Sequence, residues 1–262
     1  MSGLDVILLA GDRGPDDPLA QAAGVAGKTL VPIAGTAMLT RVLRALARWP
    51  QLGRVFVLAP DSPAYHAAIA AAGIDQHQCL HLAPEASPSQ SVGKALVAAG
   101  EARPLLITTA DHVLLDPVWL DSLLAAASQA ELLVGLVDYD RVMQRFPNSR
   151  RTRYRFSDVS VCGSNLFLLS SAAADRVVQR WREVEKERKR PWKIISMLGW
   201  VNLGLYLAGR LSLRSAFKAL SAGMGVKIGA VIIDDPLAAV DVDTAADLAL
   251  VEQALAAGND RC

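Results

Sequence analysis

The feature that most restricts the fold of this chain is the alternation of short apolar runs with segments of helical periodicity. The apolar runs predict strands at Leu4–Ala10, Val55–Ala59, Leu105–Thr109, Leu132–Val137 and Val226–Ile233. The segments between them repeat apolar residues every three to four positions, which predicts helices at Met38–Arg48, Ser91–Glu101, Pro117–Ala127 and Thr244–Leu255. Strands that alternate with helices are typical of an α/β fold with a mainly parallel sheet.

The length of the chain and the distribution of its charge predict how it is organised. With 262 residues, 52% of them hydrophobic, it is long enough for one large domain over 1–262. Residues 141–193 carry 14 of the 27 Lys+Arg and 5 of the 26 Asp+Glu, so this region has a balance of +9 although the whole chain is at +1. We therefore predict a basic, helical insertion at about 139–225 that meets a small anionic partner, and no nucleic acid.

The cysteines and the first residues predict a cytoplasmic protein. Cys79, Cys162 and Cys262 are odd in number and lack framework spacing, which favours reduced thiols. The opening MSGLDVILLAG has no basic segment, and its apolar run is too short for a signal peptide.

A loop rich in Gly, Pro and Asp follows the first predicted strand and leads to a lysine. Glycine allows a backbone to approach phosphates closely, and Lys28 would add a positive charge. The spacing does not match a P-loop, because Ala22 stands where its first glycine belongs. It does not match a dinucleotide fingerprint either, since only Gly11 and Gly14 are available. A phosphate cradle and a flexible surface loop fit these residues equally well.

The segment LLAG…GKTLVPIAGTAMLTRVLRAL resembles the opening of the MobA-like NTP transferases, in which Leu-Ala-Gly-Gly precedes Lys-x-Leu-x-Pro-x-x-Gly-x-Pro-Met-Leu. The matching positions are Leu9, Ala10, Gly11, Lys28, Leu30, Pro32, Gly35, Met38 and Leu39. Asp12 and Ala37 depart from the pattern. The resemblance implies a single Rossmann-like, GT-A-type three-layer domain that moves NMP from an NTP to a small phosphorylated acceptor, on a lipid or a sugar pathway, and releases pyrophosphate.

The same resemblance implies the residues that bind the triphosphate. Lys28 and Arg13 would neutralise its charge. The loop residues assigned to NTP binding are Leu9, Ala10, Gly11, Asp12 and Gly14. Ser91, in PEASPSQSVGKAL, resembles a Ser-Val segment that lies beside the base in the cytidylyltransferase branch, and a helix N-cap explains it as well.

Two acidic segments predict a Mg²⁺ site. Asp111 follows the predicted strand Leu105–Thr109, where α/β sheets place ligands, and it matches the family's metal-binding aspartate. Near the end of the chain, AAVDVDTAADL resembles the closing segment of the family, in which an acidic or amide residue completes the metal site. This maps to Asp241, with Asp243 as the second choice, because a helix cap at Asp243 or Thr244 explains Asp243 better.

An acceptor pocket is implied by Cys162-Gly163-Ser164-Asn165, which resembles the family's Gly-x-Asn segment. Gly163 would allow close approach, and the Asn165 amide both donates and accepts hydrogen bonds. A β-bulge within a strand Val161–Leu169 is the alternative. Upstream, Arg151 and Arg153 would share a strand face with Arg155 and hold an acceptor phosphate, although a solvated edge strand accounts for them equally well.

The region 176–209 combines a basic stretch with sixteen uncharged residues, Ile194–Gly209. This predicted helix is too short to span a bilayer. We expect a helical layer on the sheet or in a homo-oligomer interface, with peripheral membrane contact as the alternative. His77, Cys79 and His81 would share a strand face, but three such ligands without a fourth nearby are interpreted as structural.

These observations predict a Mg²⁺-dependent nucleotidyltransferase. Two alternatives remain open: a GT-A-like glycosyltransferase that uses a nucleotide-sugar, and a non-catalytic nucleotide-binding relative. The first would place Asp-x-Asp after the central strand, where this chain has Asp111-His112-Val113.

Overall fold

The structure is a computed structural model that describes residues 3–11, 16–186 and 199–259. The chain forms two compact units. The first unit runs to Asp121 and resumes at Val240, and the second comprises Ser122–Ala239. The prediction of one domain with an insertion at about 139–225 stays a prediction.

The described residues form strands and helices that largely alternate along the chain. The strands are β1 (Leu4–Leu9), β2 (Pro32–Ile33), β3 (Thr36–Ala37), β4 (Leu52–Leu58), β5 (Cys79–Leu82), β6 (Leu105–Thr109), β7 (Leu132–Asp138), β8 (Tyr154–Arg155), β9 (Ser160–Leu169) and β10 (Ile228–Ile233). The α-helices are α1 (Pro18–Ala23), α2 (Met38–Ala47), α3 (Pro63–Ala70), α4 (Pro88–Ala99), α5 (Pro117–Ala125), α6 (Tyr139–Arg145), α7 (Asp175–Lys186), α8 (Trp200–Leu207), α9 (Leu213–Met224) and α10 (Ala245–Ala254). Short 3₁₀ turns lie at Lys28–Leu30, Ala127–Gln129, Ala172–Ala174 and Pro236–Ala239.

In the first unit, four parallel strands lie in the order β6-β1-β4-β5. The central strands β1 and β4 are buried apolar runs, as parallel strands covered on both faces must be, and Ile7 and Phe56 are fully buried. The loops that follow β1, β4 and β6 therefore leave from the carboxyl ends of neighbouring strands, where ligands usually bind in α/β sheets.

The short hairpin β2–β3 follows Lys28 and positions α2. Its turn residues Ala34 and Gly35 both have positive φ, at 46° and 78°. Glycine tolerates this conformation without steric cost, which explains the glycine at position 35 in physical terms. The chain after Lys28 is thus folded back on itself.

In the second unit, β10 pairs in parallel with β7, and β7 pairs antiparallel with β9. The short strand β8 pairs antiparallel with β9. Where β7 faces β9, the register shifts between Val134 and Leu136, whose partners are Phe167 and Gly163. Three residues of β9 thus lie opposite Gly135, so the strand bulges at Ser164–Leu166.

The predicted α/β class with a mainly parallel sheet is confirmed. All five predicted strands are present, with ends that differ by a few residues. The helix expected at Ser91–Glu101 instead begins at Pro88, because the side chain of Ser87 caps it by accepting from the Gln90 N–H. No helix in the described part of the chain is long and apolar enough to cross a membrane.

Candidate active site

Three charged side chains of the first unit meet although they are far apart in sequence. The Lys28 Nζ lies 2.9 Å from Asp111 Oδ2 and 2.5 Å from Asp243 Oδ1. The lysine side chain is only 7% exposed, whereas the aspartate side chains are 20% and 43% exposed. One ammonium is therefore shared by two carboxylates at the rim of the core.

Local structure fixes each member of this cluster. Asp111 follows the end of β6, and its Oδ1 accepts a hydrogen bond from Thr109 Oγ1 at 2.6 Å. The Val242 N–H donates to the Asp111 carbonyl at 3.1 Å, which attaches the segment that carries Asp243 to the end of β6. Lys28 begins the 3₁₀ turn that connects the glycine-rich loop to β2. The cluster is therefore assembled by backbone contacts as well as by charge.

Burial and charge act on Lys28 in opposite directions. Burial disfavours the charged form and by itself lowers the pKa of this amine. The carboxylates of Asp111 and Asp243 outweigh that effect, so the pKa of Lys28 is raised above its ordinary value of 10.5. Lys28 is consequently a fixed cation at neutral pH.

The residue that caps the last helix bears on the role of Asp243. Thr244 caps α10 through a reciprocal pair of bonds with Asp247, so capping does not account for Asp243. The argument that preferred Asp241 over Asp243 was therefore wrong, because the side chain of Asp243 is directed at Lys28. Asp241 lies two residues away along the same segment, on the other side of buried Val242. Both remain predicted metal ligands.

The glycine-rich loop is partly described. Gly11 is exposed, and among the described residues a side chain there would meet only Pro84, at 4.0 Å, so their packing does not require this glycine. The predicted phosphate-binding residues Asp12, Arg13 and Gly14 lie outside the described residues. Leu9 and Ala10 complete β1 and the turn after it, and Ala10 is fully buried.

Ser91 does not cap the helix as the alternative interpretation required. It lies within α4, is buried, and its Oγ accepts a hydrogen bond from the Glu85 N–H at 2.8 Å. Its side chain thereby holds the loop before α4. The predicted role of Ser91 beside a base stays a prediction.

The predicted acceptor residues Gly163 and Asn165 lie at the bulge of β9 in the second unit. Asn165 has a φ of 54°, a left-handed conformation that is uncommon outside glycine and that costs free energy. The alternating burial of β9 puts Gly163, Asn165 and Phe167 on its more accessible face. Among the described residues, nothing lies within 4 Å of a side chain built at Gly163, so packing leaves this position open.

The arginines before β9 are arranged differently from the prediction. Only Tyr154 and Arg155 form a strand. The prediction that Arg151, Arg153 and Arg155 share a strand face is therefore wrong. Arg153 instead donates to Ser160 Oγ at 2.9 Å and lies over the Tyr139 ring. Arg151 donates to Ser149 Oγ at 3.2 Å.

Acidic residues from other parts of the second unit offset the basic stretch. The ion pairs join Arg141 to Asp234, Arg145 to Asp235 and Arg153 to Asp140. The local surplus of positive charge that the sequence indicates is thus smaller in three dimensions.

Sequence comparison identifies the family to which these residues belong. The model of the MobA-like NTP transferase domain matches residues 6–201, which include Lys28 and Asp111. The chain belongs to this family. The family is of nucleotidyltransferase type, so the chain is a transferase by descent. No curated protein matches the sequence significantly.

Solved structures confirm the Rossmann-like fold of this MobA-like chain. A hypothetical transferase from Thermus thermophilus is 28% identical with a TM-score of 0.78, over 94% of this chain and 99% of that one. A 4-diphosphocytidyl-2C-methyl-D-erythritol synthase from Anaerococcus prevotii is 10% identical with a TM-score of 0.60, over 97% and 96% of the two chains. A CMP:2-keto-3-deoxy-manno-octonic acid synthetase in complex with CTP is 12% identical with a TM-score of 0.64, over 98% and 100%.

One feature of the MobA-like chain was missed in the sequence. The helix α1 lies between the glycine-rich loop and Lys28, where only loop was expected. Its signals were present, since Asp17 caps it, Pro18 begins it and Gly24 ends it in a left-handed conformation. His112, which follows Asp111, is buried and stacks on the Trp119 ring, with ring centroids 5.4 Å apart.

Proposed function

We propose that this protein is a Mg²⁺-dependent nucleotidyltransferase that moves NMP from an NTP to a small phosphorylated acceptor. The observation that carries the proposal is the ammonium of Lys28, which is buried and held by two carboxylates, Asp111 after the end of β6 and Asp243 in the loop before α10. Membership of a family of NTP transferases supports the reaction class.

The reaction is an in-line displacement. A phosphate oxygen of the acceptor attacks the α-phosphorus of the NTP and forms a new P–O bond. The bond between the α-phosphorus and the oxygen that bridges it to the β-phosphorus breaks, and pyrophosphate leaves with that electron pair. An ionised acceptor phosphate needs no general base, so the protein contributes positioning and charge neutralisation.

Lys28 would change partners during this cycle. Without nucleotide, its charge is balanced by Asp111 and Asp243. An incoming triphosphate is a stronger competitor for the ammonium, and Arg13 would assist it. Release of Lys28 from the aspartates would leave those carboxylates available to another cation.

The freed carboxylates fit Mg²⁺. Asp111, Asp241 and Asp243 offer hard oxygen ligands of the kind that this ion prefers, and two of them already share one cation, the Lys28 ammonium. When bound, Mg²⁺ would neutralise phosphate charge and favour departure of pyrophosphate. The side chains of Asp111 and Asp243 are partly exposed, which leaves them accessible from solvent.

The acceptor would bind at the bulge of β9. Asn165 is held in an unfavourable backbone conformation, and such strain is often found where a side chain must be aimed at a ligand. Gly163 has room for close approach. Arg151 and Arg153 remain the proposed ligands of the acceptor phosphate.

The test is a thermal-shift panel of ATP, GTP, CTP and UTP with and without Mg²⁺. A ligand that binds only the folded state raises the unfolding midpoint by mass action. We expect a Mg²⁺-dependent shift with one NTP, and the solved relative with bound CTP makes CTP the first to try. The shift should be lost in Asp111→Asn and kept in the matched surface variant Asp234→Asn.

Thermal shifts with nucleotide-sugars and assays of product and pyrophosphate separate the alternatives. A GT-A-like glycosyltransferase would respond to nucleotide-sugars and form no pyrophosphate from any NTP. A non-catalytic relative would bind an NTP but yield no product with any phosphorylated acceptor. The absence of any shift would contradict the proposal.

Peripheral contact with a membrane, through the region 176–209, is supported by one part of that region. The solvent-facing side of α8 is apolar, with Trp200, Val201 and Leu207 well exposed. Just beyond it lie the exposed basic residues Arg210, Arg214 and Lys218. This pairing suits an anionic lipid surface and an acceptor from a lipid pathway. Residues 187–198 of the predicted region lie outside the described residues.

A further inference from the structure

We propose that Asp61, His66 and His81 form a second metal site, which binds a divalent transition metal such as Zn²⁺ or Co²⁺. Asp61 lies in the loop after β4, His66 lies in α3, and His81 lies in β5. One potential ligand atom from each residue lies within 4.8 Å of the other two. None of the three takes part in the proposed nucleotidyl transfer.

Sequence and strand register together bring these residues to one place. Asp61 and His66 are local neighbours, since α3 begins just after the loop that carries the aspartate. His81 arrives through the parallel pairing of β4 with β5, in which it is the partner of Val57. His81 therefore lies near the carboxyl end of β5, as Asp61 lies after that of β4.

The contacts among the three side chains already resemble a ligand set. The His66 Nε2 is 3.1 Å from Asp61 Oδ1, and the imidazole rings of His66 and His81 meet edge to face with centroids 5.0 Å apart. His66 is exposed and His81 is half-buried. A metal ion would replace the single proton that now mediates the contact between His66 and Asp61.

The hydrogen bond of His81 prepares one of its nitrogens for a metal. Its Nε2 lies 2.9 Å from the carbonyl oxygen of Ala59, which can only accept. In neutral His81 the proton is therefore on Nε2, and the lone pair is on Nδ1. A ring N–H that donates to a backbone carbonyl is the usual outer contact of a metal-bound histidine.

The donor set selects the class of metal. Two imidazoles and one carboxylate suit borderline ions such as Zn²⁺ and Co²⁺, whereas Mg²⁺ prefers oxygen alone. Asp61 and His66 are largely exposed, so water can fill the remaining coordination positions. Cys79, which shares the strand with His81, is a weaker candidate ligand because burial raises the pKa of its thiol.

A metal ion at this site would cross-link the strand at the edge of the sheet. Among the described strands of the first unit, β5 pairs with β4 alone, and the ion would join β5 to α3 and to the loop after β4. Because no such link exists in an unfolded chain, binding stabilises the fold by mass action. The site therefore predicts that a trace transition metal stabilises the protein against heat, in addition to any effect of Mg²⁺ at the Lys28 cluster.

The experiment is a titration of chelator-treated protein with Co²⁺, followed by visible absorption, and a parallel Zn²⁺ thermal-shift series in excess Mg²⁺. We expect one equivalent of Co²⁺ to bind and Zn²⁺ to raise the midpoint. Asp61→Asn and His66→Ala should weaken binding by at least about tenfold. His77→Ala is the matched control, since His77 is exposed and outside the cluster.

Two outcomes would overturn the proposal: no Co²⁺ band in the wild type, or a band unchanged in His66→Ala. Because Asp61 and His66 are exposed, these variants are expected to fold, and His81→Gln retains a donor for Ala59 as a further check. The NTP thermal shift should be the same in wild type and His66→Ala. A failure of this site is thereby distinguished from a failure of the proposed transferase activity.

Discussion

The Lys28 cluster and the Asp61 cluster of the first unit both combine nitrogen groups with carboxylates, but they differ in solvent exposure. The Lys28 cluster joins a nitrogen cation to two carboxylates, and the Asp61 cluster joins two imidazoles to one carboxylate. The side chain of Lys28 is 7% exposed, whereas those of Asp61 and His66 are 72% and 51% exposed. Burial is therefore the main difference between them.

The difference in burial determines whether the side chains of each cluster form strong contacts in the absence of a ligand. A buried ammonium cannot remain charged without partners, so Lys28 draws Asp111 and Asp243 into short contacts before any ligand arrives. In the exposed cluster, water screens the charges, and an ion pair of this kind contributes little by itself. The proposed triphosphate would therefore displace charge from the buried cluster, and the proposed transition metal would add charge to the exposed one.

Removal of the buried cation should produce the largest effect. Lys28→Met leaves Asp111 and Asp243 facing each other without a counter-charge. We expect the free energy of unfolding to fall by about 1–3 kcal/mol in chemical denaturation, and turnover with the preferred NTP to fall on the order of 10²–10³-fold. Lys94→Met, which breaks an exposed pair with Glu85, should change stability by less than about 1 kcal/mol. Equal stability of the two variants would remove the contrast between buried and exposed clusters.

The dependence of stability on pH should sharpen the comparison. The pKa of Lys28 is raised above 10.5 in the folded protein, so the folded state holds this proton more tightly than the unfolded state. The resulting stabilisation is complete below pH 10.5 and is lost as the pH rises through the higher, folded-state pKa. Comparison of wild type with Lys28→Met by denaturant unfolding from pH 7 to 11 should show a constant difference that shrinks only above pH 10.5. A difference that disappears near neutral pH would show that another group is responsible.

The smallest effect is expected at the exposed cluster without metal. Asp61→Asn removes the partner of His66, which is screened by solvent. In the presence of a chelator, the free energy of unfolding should change by less than about 1 kcal/mol, and less still at high salt. A loss as large as that of Lys28→Met would mean that this cluster is organised without metal.

Local signals in the sequence were sufficient for the elements that hold the buried cluster. The apolar runs of β1 and β6 are buried in parallel pairing, so their ends could be located, and with them Gly11 and Asp111. Lys28 was found because it follows a glycine-rich loop and opens the segment KTLVPIAG, which resembles the family pattern. The short helix α1 was missed because six residues give too little periodicity, although its capping residues were present.

Contacts between residues that are far apart in the sequence could not be predicted from its periodicity. The pairing of Asp243 with Lys28 depends on the backbone bond between Val242 and Asp111, and no local pattern encodes that bond. His81 joins His66 only through the register of β4 with β5. Arg151, Arg153 and Arg155 were placed on one strand because their spacing fits a strand, but Arg153 is held by Asp140 and Ser160, which other segments contribute.

The separation of Lys28 from Asp243, 215 positions along the chain, has a consequence for biosynthesis. On the ribosome, the lysine is made early and Asp243 only after the whole of Ser122–Ala239 has been translated. Until then the nascent chain carries an ammonium with only Asp111 to balance it. The start of the polypeptide therefore reaches its final electrostatic state late in translation.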